Sequence, residues 1–159
     1  GLILDAHIAQ NEEQRLIMWE RREAAAEISL LKTPLINNDI AVPLDKISKF
    51  LTIMEKKLPE LDPDADVLIV SHLGDGNVHY TVWPSRDDEQ HKDKIMEAIE
   101  NVVLSLGGSF SAEHGIGLSK LSSMERRKDR VALDVMRQIK HAIDPEGIMN
   151  PGKVLPKIY

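Results

Sequence analysis

Two apolar runs, Asp66 to Ser71 and Val78 to Val82, flank the stretch His72-Leu-Gly-Asp-Gly-Asn-Val-His79, and the Asp75-Gly76 pair at its centre commits the chain to reverse direction there. A two-residue type I′ turn needs positive φ at both central positions, which Asp tolerates and Gly supplies freely. This turn predicts pairing of Gly74 with Asn77, Leu73 with Val78, and His72 with His79. Residues opposed on one face of an antiparallel pair have Cβ atoms about 4.5 to 5.5 Å apart, near enough for two rings to share one ion. Two solvated rings facing each other satisfy the same pattern, and local chemistry leaves both readings open. A one-residue change of register would send the rings to opposite faces.

The flanking sequence sets the rest of the fold. Glu12 to Leu31 is rich in Glu, Arg, Ala, Leu and Ile without Gly or Pro, and Leu16, Trp19, Glu23 and Ala26 share one stripe, so a long helix is expected, ending before Thr33-Pro34. Ile36 to Val42 reads as a first strand, stopped by Pro43. Ile47, Phe50, Leu51, Met54 and Leu58 lie on one face of an amphipathic helix over Leu44 to Leu58. Asp66 to Ser71 is so continuously apolar that a buried central strand is expected. Ser85 with Asp88 opens a further helix, whose apolar side is Ile95, Met96, Ile99, Val102, Val103 and Leu106 and whose exit is Gly107-Gly108. Ser109 to Ala112 is a last short strand, delivering Glu113-His-Gly-Ile-Gly117. Leu118 to Met124 and Arg130 to Ile143 are helical, the second with Val131, Leu133, Val135, Met136, Ile139 and Ile143 available to pack, and Ile148 to Tyr159 is an irregular tail.

Between Ile36 and Ala112 the order is strand, helix, strand, strand, helix, strand. That is the split βαβ plan, and it predicts an α+β, ferredoxin-like core over residues 36–112 with an antiparallel sheet and both helices on one face. The long N-terminal helix and the C-terminal helices are extra to it. The 159 residues form one domain large enough to bury a core without staples. Gly1 without an initiator Met leads us to expect a longer parent protein.

Composition narrows the chemistry. With no cysteine, thiolate metal sites and cysteine nucleophiles are excluded, and His, Asp and Glu are the strong ligands left. A net charge of −6 argues against a nucleic-acid partner, and Arg21-Arg22 and Arg126-Arg127-Lys128 read as solvated helix faces. No apolar run reaches the roughly 20 residues that span a bilayer. Two His and one carboxylate with open positions form a recurring set for catalytic Zn²⁺, Fe²⁺ or Mn²⁺. Glu113 follows the last strand and the two histidines flank the hairpin, but local signals also allow a surface charge and solvated rings. Gly115-Ile-Gly117 lacks the third glycine of a dinucleotide fingerprint, and Asn150-Pro-Gly-Lys153 is by itself a turn. Arg22 has the fork to grip a carboxylate, or to form an ordinary surface ion pair.

Taken together, His72-x-Gly-Asp-Gly-Asn-x-His79, Ser111-Ala-Glu-His-Gly-Ile-Gly117, Asp144-Pro-x-Gly-Ile-Met-Asn-Pro-Gly-Lys153 and Trp19-x-x-Arg22 resemble the C-terminal domain of FAD-linked 2-hydroxyacid oxidoreductases. These are the D-lactate dehydrogenases, D-2-hydroxyglutarate dehydrogenases and the FAD subunit of glycolate oxidase. The resemblance runs in order over nearly the whole chain. It implies that His72, His79 and Glu113 hold a divalent metal, usually zinc, that His114 is the general base, and that Arg22 contacts the substrate carboxylate. Asn77 becomes a polar contact to flavin and substrate, and Asn150 and Lys153 belong to a tail that folds back towards the flavin. One departure is visible. Relatives that oxidise dicarboxylates can carry Lys two residues before the Asp of the first strand, where this chain has Asn37.

The resemblance further implies an N-terminal FAD-binding domain outside this chain, a small D-2-hydroxy acid as substrate, an unidentified electron acceptor, and a fragment inactive alone. A homodimer is left open. A bacterial location would be cytoplasmic or on the cytoplasmic side of the membrane, and a eukaryotic one mitochondrial. The competing expectation is a metal-binding or interaction module with no catalytic role of its own.

Overall fold

The computed structural model describes residues 3–28, 30–72 and 74–157, with Ala25 and Ala26 described by backbone alone. Along the chain come α1 (Glu12–Ile28), β1 (Ile36–Ala41), a 3-10 turn (Leu44–Lys46), α2 (Ile47–Leu61), β2 (Asp66–Ser71), β3 (Asn77–Trp83), α3 (Glu89–Ser105), α4 (Leu121–Arg127) and α5 (Arg130–Ile143). The strands form an antiparallel sheet in the order β1-β3-β2. This is an α+β fold. The expected last strand is reduced to one bridge, Ser109 opposite Ala41, on the outer side of β1. Its position is that of a fourth strand, but local bonding interrupts the ladder: Ser111 N–H donates to Ser109 Oγ (3.3 Å), which in turn donates to Ser111 O (2.8 Å).

Period-2 alternation gives the sheet two chemically different faces. Val78, Tyr80 and Val82 of β3 join Ile36 and Ile40 of β1 beneath Phe50, Met54 and Leu58 of α2 and Ile95, Ile99, Val102 and Val103 of α3. The Phe50 ring meets Tyr80 edge-on at 5.5 Å between centroids. Burying a side chain such as Phe50 is worth roughly 1.5–3 kcal/mol, so this layer holds the sheet flat against its helices. On the other face the register sets Asp39 of β1 opposite His79, and Val70 of β2 opposite His79 from the other side.

The structure corrects several expectations. β2 is an edge strand with Val67 and Ile69 exposed, not a central one. Its helix-side face borders an open apolar groove of about 850 Å³ shared with Leu44, Ile47 and Leu51, so a continuous apolar run here marks a half-covered edge. α3 starts at Asp88, whose carboxylate accepts from Gln90 and His91 N–H, while Ser85 N–H goes instead to Asp62 (2.8 Å). Arg126 and Arg127 are not solvated: they reach Asp93 and the buried Glu100 at 2.8 Å each and fasten α4 to α3. On α5 only Leu133 is buried, and Val131, Val135, Ile139 and Ile143 are exposed. The described side chains of α1, including Leu16 and Trp19, are also exposed; that of Ala26 lies outside the described residues.

The hairpin differs in a way that matters for the site. Ser71 pairs with Val78, and His72 N–H donates to Asn77 O at 2.9 Å, so the connection comprises residues 73–76 rather than two residues. Leu73, expected opposite Val78, lies outside the described residues. Gly76 has φ +79, while Asp75 is not in the positive-φ region and instead accepts from Asn77 N–H (3.0 Å) as an Asx turn. A Cβ on Gly76 would stand 2.1 Å from Val42 O, because the two backbones meet there through Val42 N–H to Gly76 O (3.1 Å). The register therefore differs by two residues from the type I′ expectation. A shift of two preserves the face, so His72 and His79 are diagonal neighbours instead of opposed ones.

Candidate functional site

The diagonal places the two rings with centroids 5.3 Å apart. His79 comes from the centre of β3 and His72 from the end of β2, both on the face away from the helices. Past the Ser109 bridge, the chain runs back alongside β1 as far as Asp39, where Ala112 N–H donates to Asp39 O (3.1 Å), and brings Glu113 and His114 to them. Glu113 Oε1 stands 3.1 Å from His79 Nε2, 3.7 Å from His114 Nε2 and 3.9 Å from His72 Nε2. The His114 ring lies nearly parallel to that of His79 (21°), with centroids 5.1 Å apart. Three imidazole nitrogens thus converge on one carboxylate oxygen.

Asp39 is the residue that the sequence reading missed. It is 1% exposed, and its Oδ2 accepts the backbone N–H groups of Ala112 (3.2 Å), Glu113 (3.1 Å) and His114 (2.8 Å) together with Lys120 Nζ (3.2 Å). Its Oδ1 accepts from Asn77 Nδ2 (3.3 Å) and lies 3.8 Å from His79 Nδ1. Burial alone would raise its pKa, but the His114 N–H and the Lys120 ammonium outweigh it and hold the carboxyl at about 2. A signal existed: Asn37-Asn38-Asp39 is a polar triplet inside an otherwise apolar strand, and the alternation puts Asp39 on the face of His79.

Burial lowers the pKa of His79, and the nearby His114 and His72 add to this, while the charges of Asp39 and Glu113 pull the other way. The neutral ring is the form that lends a lone pair to a metal. Asp39, His79, Glu113 and His114 offer ligand atoms that all lie within 4.8 Å of one another. His72 falls outside that closest set, although its Nε2 faces the same Glu113 oxygen. Oxygen and imidazole donors without sulfur suit zinc, iron or manganese. The His79 side chain is 18% exposed and that of His114 52%, so the cluster is rooted in the sheet and opens outward.

The other expected site residues are placed less closely. Asn77 is buried beside Asp39, and its Oδ1 has no hydrogen-bond partner. Arg22 is exposed on α1 and bonds to none of the cluster among the described residues. Asn150 and Lys153 are exposed in the tail, where Lys153 N–H donates to Asn150 O (3.3 Å). The tail is tied to the loop beyond His114 through Val154 N–H to Gly117 O (2.9 Å).

Residues 1–154 match the family model described as FAD linked oxidases, C-terminal domain. Over 97% of its length the chain is 34% identical to a D-2-hydroxyglutarate dehydrogenase of Stutzerimonas stutzeri, covering 34% of that protein. It is 33% identical over 98% of its length to a mitochondrial D-2-hydroxyglutarate dehydrogenase of Arabidopsis thaliana, covering 27% of it. It is 30% identical over 99% of its length to glycolate oxidase subunit GlcD of Bacillus subtilis, covering 34% of it. The chain therefore spans about a third of the length of the curated relatives it matches.

Proposed function

The chain belongs to the C-terminal domain family of FAD-linked oxidases, and from that premise we propose that it is the substrate- and metal-binding part of a flavoenzyme that oxidises a D-2-hydroxy acid to the 2-oxo acid. The observation that carries this reading is the convergence of three imidazole nitrogens on Glu113 Oε1 in a partly exposed cluster. His72, His79 and Glu113 are the ligands for a divalent ion, zinc by the family resemblance. When bound, the ion would supply Lewis-acid polarisation of the 2-hydroxyl and carboxylate, and a flavin held by a separate domain would supply the hydride acceptor.

His114 takes the hydroxyl proton. Its half-exposed ring can meet a substrate, while stacking on His79 fixes its plane. By the family resemblance Asn77 is a polar contact near substrate and flavin, Arg22 a contact to the substrate carboxylate, and Asn150 and Lys153 contacts of the tail to the flavin. Asn37, two residues before Asp39 on the same face, is neutral and favours a substrate with one carboxylate. The electron acceptor lies beyond this chain. Among the described residues no helix is long and apolar enough to cross a membrane, and the site of action proposed is the mitochondrion in a eukaryote or the cytoplasmic side in a bacterium.

Single-turnover flavin reduction in the intact flavoprotein tests the assignment, with D-lactate, glycolate and D-2-hydroxyglutarate as reductants. His114→Ala is expected to slow reduction by roughly 10²–10⁴-fold. Reduction at the wild-type rate would remove His114 as the base, and failure of every 2-hydroxy acid to reduce the wild-type flavin would remove the substrate class. Faster wild-type reduction by D-2-hydroxyglutarate than by D-lactate would overturn the preference argued from Asn37.

A further inference from the structure

We propose that Asp39 is the positioning residue of this centre: its carboxylate fills the cup formed by three successive N–H groups and thereby sets where Glu113 and His114 stand relative to His79. The inference rests on the reading of His79, Glu113 and His114 as a metal and acid–base site. Successive backbone N–H groups make an anion-binding concavity that ordinarily receives a phosphate or a cofactor. Here the anion is internal. Ala112, Glu113 and His114 all donate to Asp39 Oδ2 within 3.2 Å, and Ala112 N–H also reaches Asp39 O (3.1 Å).

Further contacts from Lys120 and Asn77 fix the carboxylate in place. Lys120 Nζ bonds to Asp39 Oδ2 (3.2 Å), to Asp39 O (3.4 Å) and to Ser111 Oγ (2.9 Å), so one ammonium joins the strand to the turn. On the other side Asn77 Nδ2 donates to Asp39 Oδ1 (3.3 Å), two residues from the opposed partner His79. Asp39 therefore touches both halves of the site, the hairpin and the 112–114 turn, which sequence separates by more than thirty residues. With Oδ2 occupied by these donors, Asp39 is better suited to placing ligands than to being one. Residues that orient metal ligands typically change affinity or activity by 10–100-fold when altered.

The test is zinc affinity, by competition with a chromophoric chelator, and the visible Co²⁺ spectrum at saturation, both on the intact flavoprotein. Asp39→Asn keeps the size but loses the charge. Zinc binding is expected to weaken about 10–100-fold, and the Co²⁺ bands to shift even when the site is full. Loss of general stability alone would not shift those bands at saturation, and Asp62→Asn, which alters a distant buried carboxylate, should leave them unchanged. If Asp39→Asn does not fold, Asp39→Glu keeps the charge and displaces it; shifted bands and an affinity between wild type and His79→Ala are then expected. A wild-type zinc affinity and spectrum in either Asp39 variant, with binding lost in His79→Ala, overturns the positioning role and leaves the metal reading standing. Wild-type affinity in His79→Ala overturns the metal reading, and the positioning role falls with it.

Discussion

At His79 a neutral ring, a carboxylate oxygen 3.1 Å away and a stacked neighbour occupy one small volume. Removing the ring in His79→Ala takes away the residue closest to Glu113, so zinc per flavin, measured by elemental analysis of the intact enzyme, is expected to fall at least tenfold. Elsewhere a second buried carboxylate gives a different prediction. Asp62 accepts from Ser85 N–H (2.8 Å) and contacts His91 Nε2 (2.8 Å). Burial opposes its ionisation, but His91 and the Ser85 N–H prevail and hold its pKa at about 2, below the usual 3.8 of an aspartate. The folded state thus binds the proton less readily than the unfolded one. Asp62 contributes its stability fully above pH 4, about 2 kcal/mol, and loses it as pH falls from 4 through 2. Urea midpoints measured across that range should drop less steeply in Asp62→Asn than in the wild type. Residues of this kind differ in how far sequence reveals them. The two histidines announce themselves by flanking a turn, whereas Asp39 acts through backbone N–H groups of residues 112–114, and no side-chain pattern marks such donors.

Among the elements, α2, α3 and α5 were readable because apolar residues recur at helical spacing. The fourth strand was not, because the Ser109 and Ser111 side chains satisfy backbone groups that a ladder would otherwise use. The hairpin was readable in kind but not in length. Asp-Gly fits a two-residue turn, yet Gly76 is needed for its contact with Val42, which no local rule contains. Gly76→Ala forces a side chain into positive φ and into Val42 O, so a loss of roughly 1–3 kcal/mol is expected by chemical denaturation, with weaker zinc binding because His72 moves with the loop. The junction of α3 with α4 makes a separate prediction. Glu100 is 2% exposed and bonds to Arg127 Nε (2.8 Å) and Arg126 Nη2 (3.3 Å). Glu100→Ala removes the carboxylate that both guanidinium groups share, while Arg126 keeps Asp93 (2.8 Å) and Arg127 keeps Glu97 O (3.3 Å); a loss of roughly 1.5–3 kcal/mol is expected, read as a lower denaturation midpoint.

For the whole molecule, the order of elements was enough to foresee an α+β sheet with two helices on one face, but not how much surface would stay uncovered. Periodicity reports which residues share a stripe; it does not report what the stripe packs on. α1 shows this most clearly. Asn11 Oδ1 caps it through Gln14 N–H (2.9 Å), yet its described side chains are all exposed. A helix without a packed face is marginal in water. In hydrogen exchange on this chain, α1 amides should therefore exchange far faster than those of β3, the strand paired on both sides. The same view of the molecule gives the Asp39 contact a temporal meaning. Asp39 meets the His114 N–H across 75 positions of sequence. Closing so long a span costs more chain entropy than closing the hairpin, so this contact is expected to form after the local hairpin and helices. The chain is therefore expected to pair its histidines before Glu113 and His114 join them. The full cluster of His72, His79, Glu113 and His114 thus belongs to the finished fold alone.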